Sequence, residues 1–103
     1  MNDESRLLVA IVAGVSGETF NTILSGARRR PLPFCRYIVA RELYRRGYST
    51  AKAGAQVGLD HATVLHGMRQ LKLMYAGGYN GEMEIQRDFN RILDSMDNTE
   101  IEP

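Results

Sequence analysis

The chain has 103 residues, 44% of them hydrophobic and 24% charged, the proportions of one globular domain, with neither room for a second core nor the bias of a disordered or fibrous chain. No stretch approaches the ~18 consecutive apolar residues of a membrane span, and Asp3, Glu4 and Arg6 spoil the N-terminal segment as a secretory leader, so a cytoplasmic protein without a membrane partner is expected. The single cysteine, Cys35, excludes an internal disulfide, the absence of a Gly-rich loop ending in Gly-Lys-Ser/Thr excludes a P-loop ATPase, and the formal net charge of +1 is uninformative until it is divided along the chain.

In chain order, Leu7, Leu8, Ile11, Val12 and Val15 recur at i, i+1, i+4, i+5 and i+8, one stripe of a helix that Asn2 or Asp3 can cap. Gly14 and Gly17 bracket its end. Ser16 is placed to cap a second, short helix burying Phe20, Ile23 and Leu24, which Ser25-Gly26 stops. Arg28-Arg29-Arg30-Pro31-Leu32-Pro33 reads as a basic loop, because each proline lacks an amide donor and restricts the residue before it. Pro33 suits a first helical turn, and Phe34 to Arg46 continues as a helix. Phe34, Tyr37, Ile38, Ala40 and Tyr44 share roughly one side of it while Val39 and Leu43 lie elsewhere, which predicts a central helix touched from several directions.

Ser49 or Thr50 caps a short helix, Ala51 to Val57, ended by Gly58; Asp60 then caps another beginning at His61. So tight a connection predicts a helix-turn-helix. Val64, Met68, Leu71 and Tyr75, with Leu65 at the edge, commit one face of the second helix to the core, and Ala62, His66 and Arg69, flanked by Thr63, form the opposite face. Residues 76–81 read as a loop. Ile85, Phe89, Ile92, Leu93 and Met96 then mark a last helix, and 98–103 reads as a disordered acidic tail beyond a single domain at 1–97. The expected fold class is all-α, a bundle of about six helices.

Residues 28–52 hold eight basic side chains against Glu42 alone, a net charge of +7, whereas 82–103 hold seven acids against Arg87 and Arg91, a net of −5. A polycationic segment beside a helix-turn-helix points to duplex DNA, since clustered guanidinium groups meet phosphates with release of counterions. Asp60 can accept from a cytosine amino group, His61 can contact a base edge and Ala62 a thymine methyl. Thr63, His66 and Arg69, with Arg28, Arg29, Arg30, Arg36, Arg45, Arg46 and Lys52, are the expected backbone or minor-groove contacts. Asp60 is equally well explained as a plain N-cap. Enzymatic activity is not expected: His61 and His66 lie about 140° apart on a helix and do not converge on a metal, and Cys35 belongs to no nucleophile motif. No cofactor is expected.

The segment GLDHATVLHGMRQL at 58–71 resembles the signature of the DnaA family of bacterial chromosomal replication initiators, Gly-Gly-Arg-Asp-His-Thr-Thr-Val-Leu-His. ILS at 23–25 before a basic loop, AREL at 40–43, Gly54 and IQRDFNRIL at 85–93 follow in the family's order, so the resemblance covers nearly the whole chain and is loosest before residue 20. It implies a Trp-repressor-like helical domain that reads DnaA-box-like sites in duplex DNA, with Asp60, His61 and Ala62 at base-reading positions and Thr63 and His66 near phosphates. Ala62 stands where the family has threonine, Leu59 where it has arginine, and the turn is one residue shorter; these departures bear on which sequence is read more than on whether DNA is bound. The family also sends a basic-loop arginine into the minor groove, for which Arg30 is the candidate here because Pro31 occupies the matching register.

The family's ATPase module has no counterpart in these residues, so a role in replication initiation or its regulation would be that of a small factor that marks, blocks or regulates sites. Met1 and the acidic end favour a natural short chain, although an excised domain would read the same. The competing expectation is a protein-interaction adaptor that keeps the fold without specific DNA reading and docks on a replication initiator or another regulatory protein. Structured RNA is a weaker partner, because no interleaved aromatic platform for splayed bases is present.

Overall fold

The computed structural model describes residues 1–75 and residue 94. Among them lie five helices and no strand: α1 Asp3–Ser16, α2 Phe20–Leu24, α3 Leu32–Arg45, α4 Thr50–Gln56 and α5 His61–Tyr75. The all-α class expected from the periodicity therefore holds. The sixth helix and the acidic tail expected after residue 81 fall outside the described residues, apart from the exposed Asp94.

Each start has a chemical cause. Asn2 caps α1 by accepting from Ser5 N, Thr19 caps α2 by accepting from Thr22 N, and Ser49 caps α4 by accepting from Lys52 N, each such bond worth about 1 kcal/mol to its helix. Thr19 thus takes the role expected of Ser16, whose hydroxyl instead accepts from Glu18 N in the connection. α3 begins at Leu32, with Pro33 in its first turn, where a missing N–H leaves no bond unmade.

α3 is the axis of the domain and contacts all four other helices. Its buried residues Leu32, Cys35, Ile38, Val39, Ala40 and Leu43 point in several directions for that reason, while Tyr44, expected inside, lies exposed. α1 packs through Ser5, Leu8, Val9, Val12 and Ala13. The expected stripe is therefore rotated toward Val9 and Ala13, and Leu7 is left 49% exposed. α5 buries Val64, Leu71 and Met74, with Met68 only half-buried. Gly67 faces α3 so closely that a Cβ there would lie 2.4 Å from the Tyr37 ring.

A polar clasp joins the start of α1 to the far end of α3 and to α4. Glu4 accepts from the Tyr48 hydroxyl at 2.8 Å and from Arg46 at 3.0 Å, while the Asn2 amide reaches Gln56 Oε1 and its side chain reaches Tyr48. α4 packs on α3, and α5 packs on both.

Candidate nucleic-acid interface

Four residues, 57–60, join α4 to α5. Gly58 adopts φ +74°, a left-handed conformation that favours glycine. The Gly54 carbonyl accepts from both Val57 N and Leu59 N at 2.9 Å, and a Cβ on Gly54 would lie 2.4 Å from the Leu59 carbonyl oxygen. Glycine is thus the residue that lets α4 press directly against the connection. Asp60 then closes the first turn of α5: its Oδ1 accepts from Thr63 N at 2.7 Å, and the hydrogen bonds from the Thr63 side chain and backbone hold the carboxyl below the usual carboxylate range.

The outward face of α5 is as expected. His61, Ala62, His66 and Arg69 are exposed, and Thr63 is half-buried. Ala62, His66 and Arg69 are spaced i, i+4 and i+7, which spreads them over about 10 Å of one helical edge. The His66 ring stands edge-on to Tyr37 of α3, with centroids 6.3 Å apart. The His61 ring is held by the first residue of α4, Nδ1 lying 2.5 Å from Thr50 Oγ1.

An open cleft of about 580 Å³ lies between the basic loop and the α4–α5 connection with the first turn of α5. Ser25, Gly26 and Arg28 line one wall, Gly58, Asp60 and Thr63 the other. Loop and helix start, 30 residues apart in the chain, are therefore neighbours in space. No family model, curated protein or solved structure matches this chain. What the site can do rests on its own geometry.

The basic residues expected at the interface divide into three groups. Arg28, Arg30, Lys52 and Arg69 are exposed. Arg29 and Arg45 are exposed but each leans on a carboxylate: Arg29 makes a two-armed pair with Glu18 at 2.7 and 2.9 Å, which holds the Glu18 carboxyl low and the guanidinium high, and Arg45 meets Glu42 at 3.0 Å. Such surface pairs are weak and screened, so both remain available to a phosphate.

The other two correct the sequence reading. Arg36 is only 5% exposed; it donates to the Ile23 carbonyl at 3.1 Å and to the Ala27 carbonyl, tying the end of α2 and the loop to α3, and burial lowers its pKa. It is a strut of the basic loop, buried at the floor of the cleft that the loop borders. Arg46, with a side chain 13% exposed, is turned inward on Glu4 in the clasp. Composition cannot tell a guanidinium that solvates a surface from one that satisfies buried carbonyls, as Arg36 does, or an inward carboxylate, as Arg46 does.

Sequence reasoning missed Thr50, Ser25 and Gly26 as members of the site, since a hydroxyl at a helix start reads as a cap and a Ser-Gly pair as a stop. Cys35 is fully buried in α3, and burial raises its pKa, so it is held as an unreactive thiol. Among the described residues no three His, Cys, Asp or Glu side chains converge as a metal site would require, and no helix is long and apolar enough to cross a membrane.

Proposed function

We propose that this protein binds duplex DNA sequence-specifically, α4 and α5 acting as a helix-turn-helix with the start of α5 in the major groove. The observation that carries the reading is the cleft shared by Arg28 of the basic loop and Asp60 and Thr63 of α5. A helix about 10–12 Å across fills a major groove about 12 Å wide. A strand bordering that groove would then run along the cleft, leaving Arg28, Arg29 and Arg30 over the backbone or the adjoining minor groove. Asp60, His61 and Ala62 lead the helix into the base edges, while Thr63, His66, Arg69, Arg45 and Lys52 meet phosphates. The likeness of 58–71 to the DnaA signature supports box-like sites and a part in replication initiation or its regulation.

Selection of bound duplexes from a random pool tests the reading directly. Recovery of one motif is the expected result. His61→Ala is expected to reduce discrimination at one position by about 1–3 kcal/mol and to leave weak nonspecific binding in place. An equal loss on the selected and on random duplexes would remove the base-reading role. The adaptor reading is favoured by the apolar side chains left on the surface, Leu7, Tyr44 and Leu73; it predicts that no duplex is retained by the pool at any salt concentration.

A further inference from the structure

The His61–Thr50 contact assigns a job to a residue outside the base-reading set. Thr50 opens α4, but its hydroxyl is not needed there, because Ser49 already caps that helix by accepting from Lys52 N at 3.1 Å. The Thr50 hydroxyl is directed across the helix pair to His61 Nδ1, 2.5 Å away. A histidine at the exposed first position of a helix can otherwise rotate and present either ring nitrogen, and the hydrogen bond made by one nitrogen decides what the other offers.

Resting on the DNA-binding reading, we propose that Thr50 is a positioning residue for base recognition: its hydroxyl donates to Nδ1 of His61, keeps the ring proton on Nε2 and aims that N–H outward. Nε2–H is a donor and selects an acceptor on the base edge. In the major groove those are guanine O6 and N7, adenine N7 and thymine O4, whereas the amino groups of cytosine and adenine are rejected. A ring frozen before binding also loses less freedom on the complex, an effect of about 2- to 10-fold in affinity. The specificity of α5 is thus set partly from α4, through a side chain that touches no base.

The test uses the intact chain with Thr50→Val, which keeps the branched shape and loses the hydroxyl, and Thr50→Ser, which keeps the hydroxyl. In the free protein, long-range proton–nitrogen NMR of the imidazoles is expected to find the His61 proton on Nε2 in the parent and in Thr50→Ser, and divided between the nitrogens in Thr50→Val. In duplex selection, the position that His61→Ala relaxes is expected to relax also in Thr50→Val, by about 2- to 10-fold, and to be restored in Thr50→Ser. Unchanged imidazole shifts in Thr50→Val overturn the proposal, as does an unchanged selected motif where His61→Ala alters it. If His61→Ala leaves selection untouched, the DNA-reading role of His61 fails by itself, and the NMR comparison still decides whether Thr50 governs the ring.

Discussion

Gly54→Ala is the perturbation that most directly probes how α5 is seated. On propensity alone it should help, since alanine is favoured over glycine by about 1 kcal/mol inside a helix. Here the new methyl would lie 2.4 Å from the Leu59 carbonyl oxygen and 2.7 Å from Val64 Cγ2. The first is backbone and the second belongs to a side chain only 1% exposed, so neither can step aside without moving the α4–α5 connection by roughly 1 Å, and such overpacking costs about 1–3 kcal/mol or more. The collision outweighs the propensity gain, and we expect a net loss of about 1–2 kcal/mol, or a fall in Tm of at least about 4 °C for a domain of this size. Gly14→Ala is the matched control. Gly14 sits in α1 with nothing within 4 Å of its added Cβ, so the same substitution should raise stability by about 0.5–1 kcal/mol. Urea and thermal denaturation followed by circular dichroism measure both. A Gly54→Ala protein as stable as the parent, or shifted in the same direction as Gly14→Ala, would refute the close approach of α4 to the connection.

Arg36→Ala should destabilise the fold by about 2–3 kcal/mol in urea denaturation, because it strips a charged donor from two carbonyls; a loss within about 0.5 kcal/mol, the size of an ordinary surface substitution, would return Arg36 to the surface. Asp60→Asn keeps an oxygen to accept from Thr63 N but places an amide donor where the second carboxylate oxygen stood, so stability at neutral pH should fall slightly while preference for one base falls by at least about fivefold. The lowered pKa of Asp60 also means that its stabilisation is present above the unfolded carboxylate pKa and is lost as pH falls through the folded value; Asp60→Asn should flatten that part of the acid limb in a pH titration of unfolding. With Arg36 and Arg46 removed from the surface set, Arg28, Arg29, Arg30, Arg45, Lys52 and Arg69 remain, and log affinity should fall against log salt with a slope of roughly −5, lessened by about 1 in Arg45→Ala with all duplexes weakened alike. A flat salt response measured by fluorescence anisotropy would contradict phosphate contacts by these groups.

Local chemistry was enough to locate the five helices of the described residues. The prolines at 31 and 33, the glycines at 17, 47 and 58 and the capping side chains mark where backbone hydrogen bonding must stop or begin, and those rules act within a few residues of chain. The outward face of α5 was legible for the same reason: once Val64 and Leu71 are committed inward, a 3.6-residue repeat leaves Ala62, His66 and Arg69 on the other side. The rotation of α1 was not legible, because both Leu7 and Val9 are apolar and only the position of α3 decides which one is covered. Nor was the division of the arginines. Whether a guanidinium faces solvent or a buried carbonyl depends on where the ends of other helices fall, and Ile23 and Ala27 come within reach of Arg36 only after α2 has packed on α3. The same holds for the hydrogen bond between Thr50 and His61. These contacts join residues from different elements, and their distances are fixed by the packing of whole helices around α3, a quantity that no local run of sequence encodes.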